Sequence, residues 1–430
     1  MNILLENCTI FDSKSKHHLK KADVWIKNGK FEKIGKVKAA DLPANTTKIS
    51  NASISKGWTD LFAHFCDPGL EHKEDIHSGL EAAAIGGFTK VAVMPNTIPA
   101  IHSKSEVEYL LNKSAAHAVQ ILPYGAITRD CAGKDISEIY DMHHSGAVAF
   151  SDGVNSALDA GTTLRALLYV KAFNGLVITH PLDRSLANGG VMNEGTTSTL
   201  MGLKGIPAIA EEIIVKRDIQ LAEYADSRLH FAYVSAAGSV GLIKAAKKRG
   251  VKVTCSVNAC NLRYIDEELA GYESNWKIMP PLRTEQDQKA LIKGVKEGVI
   301  DNISSFHIPQ DQESKQKEFD YAEFGMLGLQ SSFGIALEAL KDEMELNDIL
   351  KLFTENPARL LNLQLKNIEE GNNADITIFN TDEKQLISEE WIVSKSINTP
   401  FIGKELPLRV LGIVSRGKAA LAKAALQKEN

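Results

Sequence analysis

Between residues 58 and 307 the chain alternates short apolar runs with amphipathic segments about eight times, and few architectures satisfy that pattern. The apolar runs fall at 58–65, 90–95, 119–127, 147–151, 175–180, 228–234, 251–257 and 301–307. Helical periodicity follows several of them, as in Ser105 to His117, Ala208 to Ala225 and Val240 to Arg249. Strands that are apolar throughout and separated by helices belong to a parallel sheet covered on its outside. Eight such units predict a closed barrel rather than an open sheet. The chain ends read differently. Asn2 to Ile10 and Asp23 to Ile34 are strand-like, with turn chemistry at Asn28-Gly29, and so are Ala374 to Phe379 and Arg409 to Val414. Chain termini commonly lie close together. The expected fold is therefore α/β: a (β/α)8 TIM-type barrel over 53–369, with a smaller β-sandwich domain built from both chain ends, 1–52 and 370–430. A length of 430 residues accommodates both units.

Composition narrows the function classes. A net charge of −5 leaves no basic footprint for nucleic acid. The basic clusters Lys14 to Lys21 and Arg416 to Lys428 are short, mixed with apolar residues, and read as solvated surface. No run of about 18 apolar residues occurs, so no membrane span is expected. The first residues lack a basic start and meet Glu6, unlike a signal peptide. The five cysteines, Cys8, Cys66, Cys131, Cys255 and Cys260, are scattered and odd in number, which suits reduced thiols and a cytoplasmic location.

Polar residues able to do chemistry cluster at or just past the ends of the predicted strands. They are Asp60, His64, Asn96, Asp152, His180, His230, Tyr233, Asn258 and His307. In a barrel these ends converge on one mouth, where sites are built. His64, Asp152 and His180, on strands one, four and five, are the candidate metal ligands. A lone histidine in such a place is more often structural, so the convergence carries the argument.

Several longer segments point to one family. They include Asp67-Pro-Gly-Leu-Glu-His-Lys-Glu-Asp75, Met94-Pro-Asn-Thr97, Gly190-Val-Met-Asn-Glu-Gly195, Gly205-Ile-Pro207, Ala210-Glu-Glu212, Pro280-Pro-Leu-Arg283 and Asn356-Pro-Ala358. In this order, over nearly the whole length, the chain resembles the long-form dihydroorotases of the amidohydrolase superfamily, which work beside aspartate transcarbamoylase. The resemblance implies a barrel mouth holding one or two zinc ions, which lower the pKa of a bound water and polarise an amide carbonyl. It also implies a carboxylate on the eighth strand that shuttles the proton, and the interconversion of carbamoyl aspartate and dihydroorotate in pyrimidine synthesis.

Position by position, the chemical residues depart from that pattern. The first-strand Asp-x-His-x-His followed by x-Arg reads Asp60-Leu-Phe62-Ala-His64-Phe-Cys66, so one ligand is phenylalanine and the substrate-gripping arginine is cysteine. Asp152 and His180 match the fourth- and fifth-strand ligands. The sixth-strand ligand is Tyr233, and Phe306 stands at the catalytic aspartate's position. Asn96 survives as a substrate contact. Met279, Gln310 and Ala259-Cys260-Asn261 replace other members of the substrate shell.

Zinc in a catalytic site takes three protein ligands and a water. Here each metal position implied by the resemblance keeps two, His64 with Asp152 and Asp152 with His180. Zinc is accordingly expected to be absent or weakly bound. The reading adopted is a non-catalytic dihydroorotase-like protein, a structural partner of aspartate transcarbamoylase and a homo-oligomer. The alternative is an active dihydroorotase, or another cyclic amidohydrolase, whose zinc site is rearranged around residues such as His77, His102, His143, His144 or Cys260. Phe62, Tyr233 and Phe306 are further expected to pack together where the metal would sit, with the Tyr233 hydroxyl bonded to Asp152 or His180.

Overall fold

A computed structural model describes residues 1–155 and 158–422. The end of the second basic cluster, beyond residue 422, lies outside the described residues. The eight predicted strands are all present, as Trp58–Ala63, Phe88–Val93, Gln120–Gly125, Ala149–Phe150, Leu176–Thr179, Arg228–Phe231, Val253–Asn258 and Asn302–Ser304. Each pairs with the next in parallel, in chain order. A bridge between Ala63 and His307 brings the last strand's extension back to the first.

The strands are apolar because both of their faces are covered. Outside, helices such as Lys104–Lys113, Ile209–Ala225 and Ala237–Lys248 pack on them. Ser103 begins the first of these as a capping box with Glu106. Inside, Leu61, Leu122, Tyr124, Leu176 and Ile178 form one buried cluster with Phe62, Tyr233 and Phe306. The barrel is a packed core and not a pore.

Both chain ends enter a second, single eight-stranded sheet. Asn2–Phe11 lies at its middle, antiparallel to Lys21–Lys27 and parallel to Thr47–Ser50 and Ser53–Lys56. Ile376–Leu386 pairs with Ser53–Lys56 and with Glu405–Ser415. The strand Ser53–Lys56 thus belongs to this sheet, although it lies just past the boundary expected at residue 52. The hairpin at Asn28-Gly29 has φ of 50° and 78° at its two turn residues, the left-handed pair that a two-residue hairpin needs. A side chain on Gly29 would come within 2.5 Å of the Gly417 backbone, so the turn also requires glycine for space.

Candidate active site at the barrel mouth

The mouth is closed from below by a carboxylate. Asp60 is fully buried on the first strand and reaches the loop after the eighth. It accepts the Ser305 amide at 2.6 Å and the Ser305 hydroxyl at 2.9 Å, and also takes the Phe62 amide at 3.1 Å. These bonds clasp the first strand to the last, just beneath Phe306. Burial pushes the Asp60 carboxyl up from its usual range, against the Ser305 and Phe62 hydrogen bonds.

Three aromatic rings fill the space above the clasp. Phe62 and Tyr233 have centroids 4.6 Å apart, and Tyr233 and Phe306 are 4.1 Å apart at an interplanar angle of 66°. All three are at most 2% exposed. Tyr233 is the central ring. The expected packing of the three rings is what the structure shows, one pair slightly closer than the roughly 4.5–7 Å typical of aromatic contacts. Below them, Phe62 stacks on His230 at 5.8 Å, and His230 is held between the Thr254 and Ser256 hydroxyls at 2.8 and 2.7 Å.

The expected partner of the Tyr233 hydroxyl is corrected. It donates to the Met94 sulfur at 3.5 Å, not to Asp152 or His180. Both Asp152 oxygens already accept from Thr128, one from the amide at 2.9 Å and the other from the hydroxyl. His180 meets the tyrosine edge-on, with centroids 5.8 Å apart.

The backbone at the mouth carries strain that the side chains do not explain. Cys66, Tyr233 and Phe306 have φ of 58°, 60° and 52°. This left-handed region is several-fold richer in Asn, Asp and His than in other non-glycine residues. Holding a bulky L-residue there costs about 1–2 kcal/mol. Three such residues cost about 3–6 kcal/mol together, which two ring contacts at about 0.5–1.5 kcal/mol each offset only in part. Burial of the rings, about 1.5–3 kcal/mol per side chain, then decides in favour of the closed mouth.

The candidate metal ligands each have local work. His64 Nε2 lies 2.8 Å from the Asn96 carbonyl, to which it must donate. Its Nδ1, 2.9 Å from the Cys66 sulfur, is then the acceptor for the thiol. Both ring nitrogens are engaged, and the residue in the arginine's place is what caps the second. Burial pulls the His64 imidazole down to about 4, so it is neutral. His180 donates Nδ1–H to the Val154 carbonyl at 3.1 Å, and burial lowers it as well. Burial raises the Asp152 carboxyl despite its Thr128 bonds. Asn96 binds backbone on both sides of its amide: Nδ2 donates to the Asp152 carbonyl at 3.0 Å and Oδ1 accepts the Val154 amide at 2.9 Å.

The donors at the mouth, His64, Asp152 and His180, are each engaged by a protein partner. Among the described residues, no three His, Cys, Asp or Glu side chains form a group that could hold a metal ion. The residues of the rearranged alternative are dispersed. His77 is exposed, His102 pairs with Asp130 at 3.1 Å, His143 stacks on Phe173, His144 lies against Tyr140, and Cys260 contacts the Met326 sulfur.

One buried polar network at this end went unrecognised in the sequence. Glu211 accepts from the Ser235 and Ala236 amides and the Ser235 hydroxyl. Arg283 donates Nε–H to Ser235 Oγ at 3.0 Å and reaches Asn193 Oδ1 and the Ile206 carbonyl, both at 2.9 Å. Asn193 donates in turn to Asp266 at 2.7 Å. Its signal was present, because three of the family-like segments contribute Asn193, Glu211 and Arg283. A second buried set links the mouth to the C-terminal segment: Glu74 accepts from Ser394 and Ser78 and lies 3.4 Å from His307 Nε2. Burial would raise the Glu74 carboxyl, but His307, Ser394 and Ser78 outweigh it and hold it below its usual range.

The eight-stranded barrel with its accessory sheet and strand-end mouth defines a protein of the amidohydrolase class, and the amidohydrolase family model matches residues 203–420. A dihydro-orotase-like model matches residues 53–239. The chain is 42% identical to the dihydroorotase of Carboxydothermus hydrogenoformans over 392 residues, covering 90% of this chain and 91% of that one. It is 41% identical to the dihydroorotase of Pelotomaculum thermopropionicum over 409 residues, 94% and 95% of the two chains. The chain belongs to the dihydroorotase family. In fold it also matches the L-hydantoinase of Arthrobacter aurescens, with a TM-score of 0.83 at 22% identity, over 98% of this chain and 96% of that one. Among the described residues no helix is long and apolar enough to cross a membrane.

Proposed function

We propose that this chain is a non-catalytic member of the dihydroorotase family, retained as a structural partner, with aspartate transcarbamoylase the first partner to test. The observation that carries the reading is the packed Phe62–Tyr233–Phe306 set at the mouth. Phenylalanine can neither coordinate a metal nor transfer a proton, and losing a general acid/base alone costs about 10²–10⁴ in rate. His64 has no lone pair left for a metal while it holds the Asn96 carbonyl and the Cys66 thiol. Substrate capture is weakened in parallel. Cys66 is a buried neutral thiol where the family resemblance calls for a cation. Gln310 is tied to Lys73 and the Phe324 carbonyl, both at 2.7 Å.

A second reading has a specific observation in its favour. Identity of 42% over nine-tenths of the chain, to a protein that carries the dihydroorotase name, supports retained hydrolysis or cyclisation of carbamoyl aspartate. That reading requires the mouth to open and a different ligand set to assemble. The deciding experiment is turnover of dihydroorotate and carbamoyl aspartate with and without added zinc, alongside co-purification with aspartate transcarbamoylase. The proposal expects no turnover and a stable complex. Turnover within about tenfold of the 10 s⁻¹ typical of enzymes would establish the second reading.

A further inference from the structure

The face of the barrel opposite the mouth carries a second concave site. Leu176, Arg228, Val253 and Asn302 begin four neighbouring strands there. Next to the first three of them and the helix Glu355–Leu360 lies a cavity of about 300 Å³. Its apolar lining comes from Leu176, Leu229, Val253 and Leu360. Two arginines from separate elements, Arg228 and Arg359, also line it.

Neither arginine has a carboxylate partner in an ion pair among the described residues. Arg228 donates to the carbonyls of Asn174, at 3.1 Å, and Leu360. Arg359 donates once, to Asn356 Oδ1 at 3.2 Å. Each guanidinium therefore keeps at least half of its N–H donors. The other charged groups at the cavity are already matched. Asp301 accepts Lys247 at 2.7 Å and the Cys255 amide at 2.8 Å, and Lys252 pairs with Asp226 at 2.6 Å. Asp301 also attracts Arg359 across the cavity, so the charge with no acid acting on it is that of Arg228, and Arg359 adds a second, exposed fork beside it. Burial pulls the Arg228 guanidinium below its ordinary value, and no neighbouring acid offsets it. A half-buried cation without a counter-charge is stabilised by an anion arriving in the cavity.

We infer that this cavity binds a phosphate-bearing small molecule, with the phosphate held between Arg228 and Arg359 and the organic body against the leucines. One guanidinium fork saturates a carboxylate, whereas two forks from separate elements suit a phosphate with three charged oxygens. The cavity is larger than a bare phosphate and falls at the lower end of small-molecule sites. The inference uses residues remote from the mouth and stands whether or not the mouth is catalytic.

The test is isothermal titration calorimetry on the full chain at low salt, with inorganic phosphate and AMP as probes. Saturable binding of AMP is expected, with phosphate competing for the same site. Arg359→Gln and Arg228→Gln should each weaken AMP by about tenfold or more, while the surface variant Arg263→Gln leaves it unchanged. Arg359 is exposed, so its variant decides alone if Arg228→Gln fails to fold. Absence of saturable binding by both probes up to about 10 mM, or AMP binding unchanged in Arg359→Gln, would overturn the inference.

Discussion

Two sets of polar residues ring the same end of the barrel, and they have fared differently. Asn193, Glu211, Ser235, Asp266 and Arg283 form a closed network in which side chains satisfy one another and the backbone. The set where the family resemblance places metal and substrate holds Phe62, Cys66, Tyr233 and Phe306, and the polar residues beside them bond locally. His64 ties the first-strand loop to Asn96, and Asn96 ties that region to Val154. Groups whose bonds fix the fold remain. On the proposed reading, groups whose use is external to the fold give way to what packs best.

The largest effect should come from breaking the intact set. Arg283→Met leaves Glu211 buried without its neighbouring cation and should lower stability by about 3–5 kcal/mol in urea unfolding. A loss below about 1 kcal/mol would mean that the network is not what holds the mouth.

Putting a carboxylate back into the decayed set should also hurt. Phe306→Asp places an acid in a buried apolar site beside the Tyr233 ring, at an expected loss of about 2–4 kcal/mol near neutral pH. Burial would raise the folded-state pKa of that new aspartate. The folded state would then bind the proton more tightly than the unfolded state, so part of the loss should return as the pH falls. Denaturation of the variant at pH 7 and pH 5 checks both points, and a more stable variant at pH 7 would contradict the packed mouth.

The buried histidines give a third contrast. His64 is pulled to about 4 and His230 to about 3, both mainly by burial. Unfolded histidine titrates near 6.5, so below that pH the unfolded chain binds more protons than the folded one. Stability should therefore fall as the pH drops from 7 to 5, by about 2 kcal/mol per histidine. His64→Gln should flatten part of that slope, and an unchanged slope would remove His64 from the account.

Much of this architecture was legible from residues alone. The eight strands, the Asn28-Gly29 hairpin and the helix Ile209–Ala225 follow from periodicity and turn chemistry, which are local. The meeting of Phe62, Tyr233 and Phe306 was legible because a barrel brings the ends of strands one, six and eight together. The contacts that went unread depend on details no local pattern carries. Cys66 caps His64 where a left-handed φ turns the backbone. The Glu211–Arg283 network joins segments about seventy residues apart. Tyr233 reaches a thioether, and Asp152 takes its hydrogen bonds from Thr128.

The smallest expected effect follows from that last contact. Tyr233→Phe removes only a hydroxyl directed at the Met94 sulfur and should change stability by about 0.5 kcal/mol or less. A loss above about 2 kcal/mol would show that the hydroxyl holds a stronger partner than Met94.

The central claim is that packed rings have replaced a metal at the mouth. Elemental analysis of protein purified without chelators tests it most directly. The account predicts zinc far below one ion per chain, removed by simple dialysis. About one tightly held zinc per chain, as a three-ligand catalytic site would give, would contradict it.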